Sequence, residues 1–221
     1  TILLKTITNT TTNCATSANN TATVSVNPNP SITSISSNSP ICSGDDAVFS
    51  ISGTPNATVI YTIDSGTDQS LILNALGIGS FTVNSTTANT SILLKSITNT
   101  STNCASTISN TATVSVNPNP SISSLSSNSP VCFGDDAIFS ISGTVGATVI
   151  YSINSGLDQT LILNASGIGV VTVSGATSNT TLQLKTIANT ATNCLSTVSN
   201  MVTVSVNPNP SITSLSSNSP I

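Results

Sequence analysis

The octapeptide SVNPNPSI occurs three times, at 25–32, 115–122 and 205–212, and both intervals are 90 residues. A period of this length marks a tandem array, in which each repeat is one folding unit and neighbours meet at a fixed junction. Aligned without gaps, residues 30–119 and 120–209 differ at 28 of 90 positions, mostly by changes as mild as Val48 against Ile138 or Ile35 against Leu125. Residues 1–27 correspond to 91–117, and 208–221 to 28–41. The period predicts the C-terminal part of one repeat (1–27), two complete repeats (28–117 and 118–207) and the first strand of another (208–221). On this reading the chain is a window cut from a longer array.

Within a repeat the hydrophobic pattern has period two. In DAVFSIS (46–52), Ala47, Phe49 and Ile51 alternate with polar or smaller residues, as in a strand buried on one face. TVIYTI (58–63), SLILN (70–74), SFTVN (80–84), SILLKSI (91–97) and TATVSV (111–116) follow, and SITSIS (31–36) precedes them. Gly-, Asn- and Asp-rich turns separate them, and no helical period appears. Seven short strands in 90 residues predict an all-β chain of tandem immunoglobulin-like β-sandwich domains, stacked linearly. Leu93 becomes Gln183 beside Lys185, whereas Leu94 stays Leu184, which places the first pair toward solvent and the second in the core.

Composition excludes several functions. The three Lys and seven Asp are only 5% of the chain, His is absent, and the net charge is −4, so nothing here neutralises nucleic-acid phosphates. At 37% hydrophobic with few charges, the chain is not of the disordered kind. No apolar run approaches the roughly 20 residues of a membrane-spanning helix. Catalysis by a nucleophile needs an adjacent base, and no such pair presents itself, so neither enzymatic activity nor a cofactor is expected.

The frame NPxPSI…SPxCxGDDAxFSISG…ATVIY…LILN…TNC…TVSVNPNP runs through the whole chain. It resembles the Ig-like repeats of very large secreted surface proteins of Bacteroidota, including adhesins tied to gliding motility and type IX secretion. The residues that carry the likeness are the Cys before the second strand, the Gly two residues on, and the Cys after the sixth strand. The resemblance implies an extracellular, cell-surface location, a binding or spacer role, and no catalysis.

The five cysteines, Cys14, Cys42, Cys104, Cys132 and Cys194, place one early and one late Cys in each repeat. Without His they point to disulfides rather than zinc. Three pairings are open. Cys42–Cys104 and Cys132–Cys194 lie within repeats; Cys14–Cys42 and Cys104–Cys132 cross the Pro junction; Cys42–Cys194 joins one repeat to the next. The within-repeat scheme is the usual default. Strand parity favours the third, because five strands separate Cys42 from Cys104 and put them at opposite ends of a sandwich. Chain entropy does not choose, at about 4 kcal/mol for either short-range scheme.

Other recurring residues have a sharp and a plain reading. Asp45–Asp46 and Asp135–Asp136, with Asp68 and Asp158, are hard oxygen ligands of the kind calcium takes; plainly, they are Gly-Asp turns entering a strand, and Asp64 becomes Asn154. Lys5, Lys95 and Lys185 recur once per unit and suggest an isopeptide bond, or plainly a solvated strand lysine. Sequons at Asn56, Asn84, Asn89, Asn99, Asn164 and Asn179 suit glycosylation but arise readily in so Asn-rich a chain.

The linker residues Asn27, Pro28, Asn29 and Pro30 recur as Asn117, Pro118, Asn119 and Pro120, and as Asn207, Pro208, Asn209 and Pro210. Two prolines fix φ and keep the preceding Asn residues extended, so the junction should be short and stiff. The expected function is a semi-rigid adhesive stalk of a long surface protein. Its partners are neighbouring repeats of the same chain, with self-association into fibres and contacts to glycans or surfaces also in view. The alternatives are a filament subunit assembled by strand exchange, or a spacer of a secreted enzyme.

Overall fold

The computed structural model describes residues 1–217, and every regular element in them is a strand. Two compact units are formed. The first holds Thr1–Ser37, Val48–Thr82 and Ser91–Thr113; the second holds Asn38–Ala47, Val83–Thr90 and Val114 onward.

In the first unit, β1 (Ile2–Leu3) pairs with β4 (Thr21–Ala22) and β2 (Thr6–Thr8) with β3 (Ala15–Ser17), all antiparallel. Almost every residue before Pro30 is exposed. These ribbons correspond to the last strands of a repeat, and Ile2, Leu4 and Ile7 are exposed on them.

The first full repeat supplies β5 (Ile32–Ser37), β6 (Ile41–Cys42), β7 (Ala47–Gly53), β8 (Ala57–Ile63), β9 (Gln69–Ile72), β10 (Ile78–Val83), β11 (Thr90–Asn99), β12 (Cys104–Thr107), β13 (Thr111–Val114) and β14 (Val116–Asn117). One sheet runs β10-β7-β5. The other runs β12-β11-β8-β9, with β13 also on β11. The second repeat gives β15 (Ile122–Ser127), β16 (Val131–Cys132), β17 (Ala137–Gly143), β18 (Thr148–Ile153), β19 (Gln159–Ile162), β20 (Ile168–Val173), β21 (Thr180–Asn189), β22 (Cys194–Thr197), β23 (Met201–Val204) and β24 (Val206–Asn207), in the same order. The opening strand changes sheets. β5 and β15 pair antiparallel with β7 and β17, while the short β6 and β16 lie parallel to the closing strands β14 and β24. Two sheets linked in this way are an immunoglobulin-like sandwich.

The alternation read in the sequence becomes the core. Phe49, Ile51, Val59, Leu73, Ile92, Leu94 and Ile97 are buried in the first repeat, and Phe139, Ile141, Val149, Leu163, Leu182, Leu184 and Ile187 in the second. Phe81 stacks between Phe49 and Tyr61, at centroid distances of 5.4 and 4.4 Å. Period two breaks once in β11, where the register shifts between Leu94 and Ser96. A bulge there lets Ile97 return to the core beside Leu94. Leu93 is 38% exposed and Leu94 fully buried, which accounts for Gln183 at the first position and Leu184 at the second.

Strand boundaries differ from the sequence reading in three places. β6 and β16 are absent from it because two residues carry no periodicity. The closing strand, read as 111–116, is two strands, β13 and β14, broken at Ser115, whose O accepts from Ile41 N and whose N–H donates to Ser39 Oγ. β12 before it is also absent from the sequence reading, and it parts from β13 where Lys95 O accepts from Ile108 N and Asn110 O from Leu94 N, opposite the bulge. The strand expected within 208–221 forms no ladder over 208–217, and 218–221 lie outside the described residues. Its equivalents, β5 and β15, are held by β7 and β17.

Candidate functional site

The junction that recurs letter for letter packs against the loop of the early cysteine, and residues 38–47, 83–90 and 114–122 of that region belong to the second unit. β6 aligns Val116 with Ile41 and Asn117 with Cys42. Ser43 N donates to Asn117 O at 2.9 Å, and Gly44 N to Thr86 O at 2.9 Å. Gly44 has φ +96°, a conformation glycine adopts without strain. Asn119 Nδ2 donates to Ser43 O at 2.8 Å, so the linker side chain folds back onto the loop. On its other side Ser121 N donates to Thr144 Oγ1 at 2.9 Å, and Ser121 O accepts from Thr144 N. Pro120 between these anchors is buried. The four residues Asn117, Pro118, Asn119 and Pro120 are thus tied at both ends.

Of the cysteines, Cys42 and Cys194 are bonded, with a Cα–Cα distance of 5.6 Å. Cys14, Cys104 and Cys132 are thiols. The within-repeat pairs Cys42–Cys104 and Cys132–Cys194 are not formed, nor are the pairs across the Pro junction. The reason is topological. Cys42 ends β6 and Cys104 opens β12, with β7 to β11 between them, and five traversals of a sandwich leave them at opposite ends.

The acidic pairs serve their own turns. Asp45 Oδ2 accepts from Cys42 N at 3.2 Å, and Asp46 Oδ1 from Ser85 N at 2.9 Å. Asp135 and Asp136 do the same for Cys132 N and Gly175 N. Asp64 Oδ1 accepts from Ser91 N and Asn154 Oδ1 from Thr181 N, which is why Asp and Asn exchange there: only an acceptor oxygen is required. Among the described residues no three His, Cys, Asp or Glu side chains gather as a metal site would need, and no pocket is formed. Lys95 pairs with Asp68 and Lys185 with Asp158, all four half-exposed at the surface. Sequon amides are caps as well, and Asn99 Oδ1 accepts from Ser101 N. Asn89 Oδ1 and Asn179 Oδ1 accept from Val116 N and Val206 N, and Asn164 Oδ1 accepts from Ser166 N and Ile168 N.

Ser39, Asn89 and Asn119, with their counterparts Ser129, Asn179 and Asn209, hold this end of the repeat in place, yet the sequence reading gave them no such role. Ser39 Oγ accepts from Ser115 N, 76 residues away, and Asn89 reaches Val116 across 27. Identity between repeats was the available signal, but it does not name the partner.

No protein-family model and no curated protein matches the chain. Among solved structures it is similar to a marsupial T cell receptor at 9% identity and TM-score 0.47, over 80% of this chain and 74% of that one. It is also similar to an Escherichia coli alpha-2-macroglobulin activated by porcine elastase at 13% identity and TM-score 0.35, over 88% of this chain but only 23% of that one. A third is the N-terminal Ig1-2 module of the Drosophila receptor protein tyrosine phosphatase DLAR, at 12% identity and TM-score 0.31, over 81% and 100%. The immunoglobulin-like character of the molecule is carried by its own strand order and ladders rather than by these likenesses.

Proposed function

We propose that the chain is a structural and adhesive repeat segment of a long extracellular surface protein, of the kind found in the large secreted adhesins of Bacteroidota. It acts as a semi-rigid stalk that holds a binding site away from the cell. The observation that carries this reading is the Cys42–Cys194 bond, which runs from the early cysteine of one repeat to the late cysteine of the next. Together with the Pro junction anchored through Ser43 and Thr144, it opposes hinging between repeats. Disulfides persist in oxidising compartments, and the nearly uncharged Ser/Thr/Asn surface suits weak contacts to glycans.

Scattering from the 221-residue chain with its free thiols alkylated tests this. A monomer with the profile of a stiff rod, loosened in the C42S variant, is the expected result. A flexible-chain profile in the oxidised parent refutes the stalk, and fibres from the alkylated chain favour strand exchange between copies. Antibody labelling of intact source cells checks the surface location.

A further inference from the structure

Between Asp68 and Lys95, and again between Asp158 and Lys185, no charged residue occurs. Both stretches open on a strand at the edge of a sheet, β9 and β19. Leu73 N donates to Ala57 O, and Leu163 N to Ala147 O, both at 2.9 Å. Bonded and non-bonded pairs alternate along an antiparallel ladder. Leu71 therefore also bonds toward β8, while Ser70 and Ile72 turn their N–H and C=O outward. Thr160 and Ile162 do the same on β19. No residue among those described takes up these groups.

Sheet edges are commonly blunted by Lys, Pro or a bulge. Gln69–Ile72 and Gln159–Ile162 contain neither residue, and their registers with β8 and β18 run unbroken. The neighbouring edge is treated differently. At the start of β10, Asn74 Oδ1 accepts from Ile78 N at 2.9 Å and Asn74 N donates to Ile78 O at 3.0 Å. Asn164 closes Ile168 in the same way. β9 and β19 have no such cap. Leu71 and Leu161 lie over Gly79 and Gly169, where an added Cβ would come within 2.9 and 2.5 Å of their Cδ2 atoms. These leucines face the core yet are only half-buried, and Ile72 and Ile162 beside them are 70% and 69% exposed.

We propose that β9 and β19 are docking edges for a second copy of the chain, each pairing antiparallel with the equivalent edge of the copy, side by side. The occupant follows from self-complementarity. With Leu71 set opposite Leu71 of the copy, Ser70 faces Ile72 of the copy and Ile72 faces Ser70, so the outward N–H and C=O groups pair. The two leucines then cover each other on the core face, and Asp68 falls opposite Asn74 of the copy rather than another carboxylate. An unrelated peptide would satisfy the backbone groups, but this edge returns every 90 residues, and a copy returns it with the same period. The pairing uses no cysteine and no residue of the Pro junction, so it is open to a repeat anywhere in a longer array. A four-residue edge buries far less than the ~1,000 Å² of a stable interface. Two-repeat chains therefore associate only when concentrated, and long arrays multiply the contact.

Sedimentation equilibrium of the 221-residue chain, thiols alkylated, from about 0.02 to about 2 mM tests this. The chain should be a monomer at the dilute end, with an average mass about 1.5-fold higher at the concentrated end. In ¹⁵N-labelled protein the amides of Ser70, Ile72, Thr160 and Ile162 should shift with concentration, and those of Leu71 and Leu161, already bonded, far less. S70P/T160P removes only outward N–H groups and keeps the ladder donors, so it should fold as the parent does and stay monomeric. I72K/I162K, at exposed positions, blunts the same edges with cations, should stay monomeric too, and decides the matter if the proline variant does not fold. A parent that is monomeric throughout, shifts confined to other residues, or undiminished association in a folded variant overturns the proposal. The stalk reading fails separately, on a flexible-chain profile of the dilute monomer.

Discussion

Removing the Cys42–Cys194 bond should lower stability more than any other single change to the cysteines. The bond closes a sequence separation of 152 residues. Chain-entropy scaling assigns such a loop about 17 cal/mol/K, or ~5 kcal/mol near room temperature. If the second repeat unfolds while the first stays folded, the free part of the loop runs from Pro118 to Cys194, about 77 residues, and the scaling gives ~4.5 kcal/mol. The two limits nearly agree because the dependence on length is logarithmic. Residual structure in the denatured chain lowers both, so a loss of about 3–5 kcal/mol is expected for C42A/C194A, from a total in the range of ~5–15 kcal/mol. Urea titration followed by circular dichroism under non-reducing conditions measures it. The denaturant slope should rise as well, because the uncrosslinked unfolded chain exposes more surface. Cys132→Ser, at an exposed thiol, should stay within about 0.5 kcal/mol of the parent. An equal effect of the two variants, or an unchanged midpoint for C42A/C194A, refutes the loop argument.

Gly167→Ala should cost well over ~1 kcal/mol: φ there is +73° and a Cβ would lie 2.4 Å from Gly143 O. Gly134→Ala, at φ +92° with open space around the position, should cost only the conformational part, and thermal melts compare the two. Ser152 is buried with its Oγ unpartnered, so Ser152→Ala should be neutral or stabilising by up to about 1 kcal/mol in the same melts. Tyr61 and Tyr151 have their phenols pushed above the ordinary value of 10.0 by burial. The folded state therefore keeps these protons where the unfolded state has begun to lose them, and stability is full below about pH 10 and falls above it. Alkaline titration of tyrosinate absorbance, native against denatured, should show the native curve displaced upward.

The core was legible because burial on one face of a strand is written directly as period two. Ala47, Phe49 and Ile51 are buried as their alternation requires. The exchange of Leu93 for Gln183, with Leu94 kept as Leu184, separates surface from core in the sequence alone. What lay hidden was short or distant. β6 has two residues, and the bulge at Lys95 has no signature in residue type. Asp45 resembles a cation ligand in sequence; the fold also has its Oδ2 accept the N–H of Cys42, three residues back, a contact that residue type does not announce.

By itself, then, the sequence determined the repeat, its all-β character, the faces of its longer strands and the place of the junction. Each of these depends on residues near one another in the chain or on a comparison across 90 positions. Only the tertiary structure decided which cysteines meet and what holds Asn117, Pro118, Asn119 and Pro120. Sequence spacing set the entropy of closing a loop but, at only about 0.7–1.5 kcal/mol per bond between schemes, could not decide which cysteines meet. The path of the chain through two sheets brought Cys42 to Cys194 and left Cys104 at the far end of its own repeat.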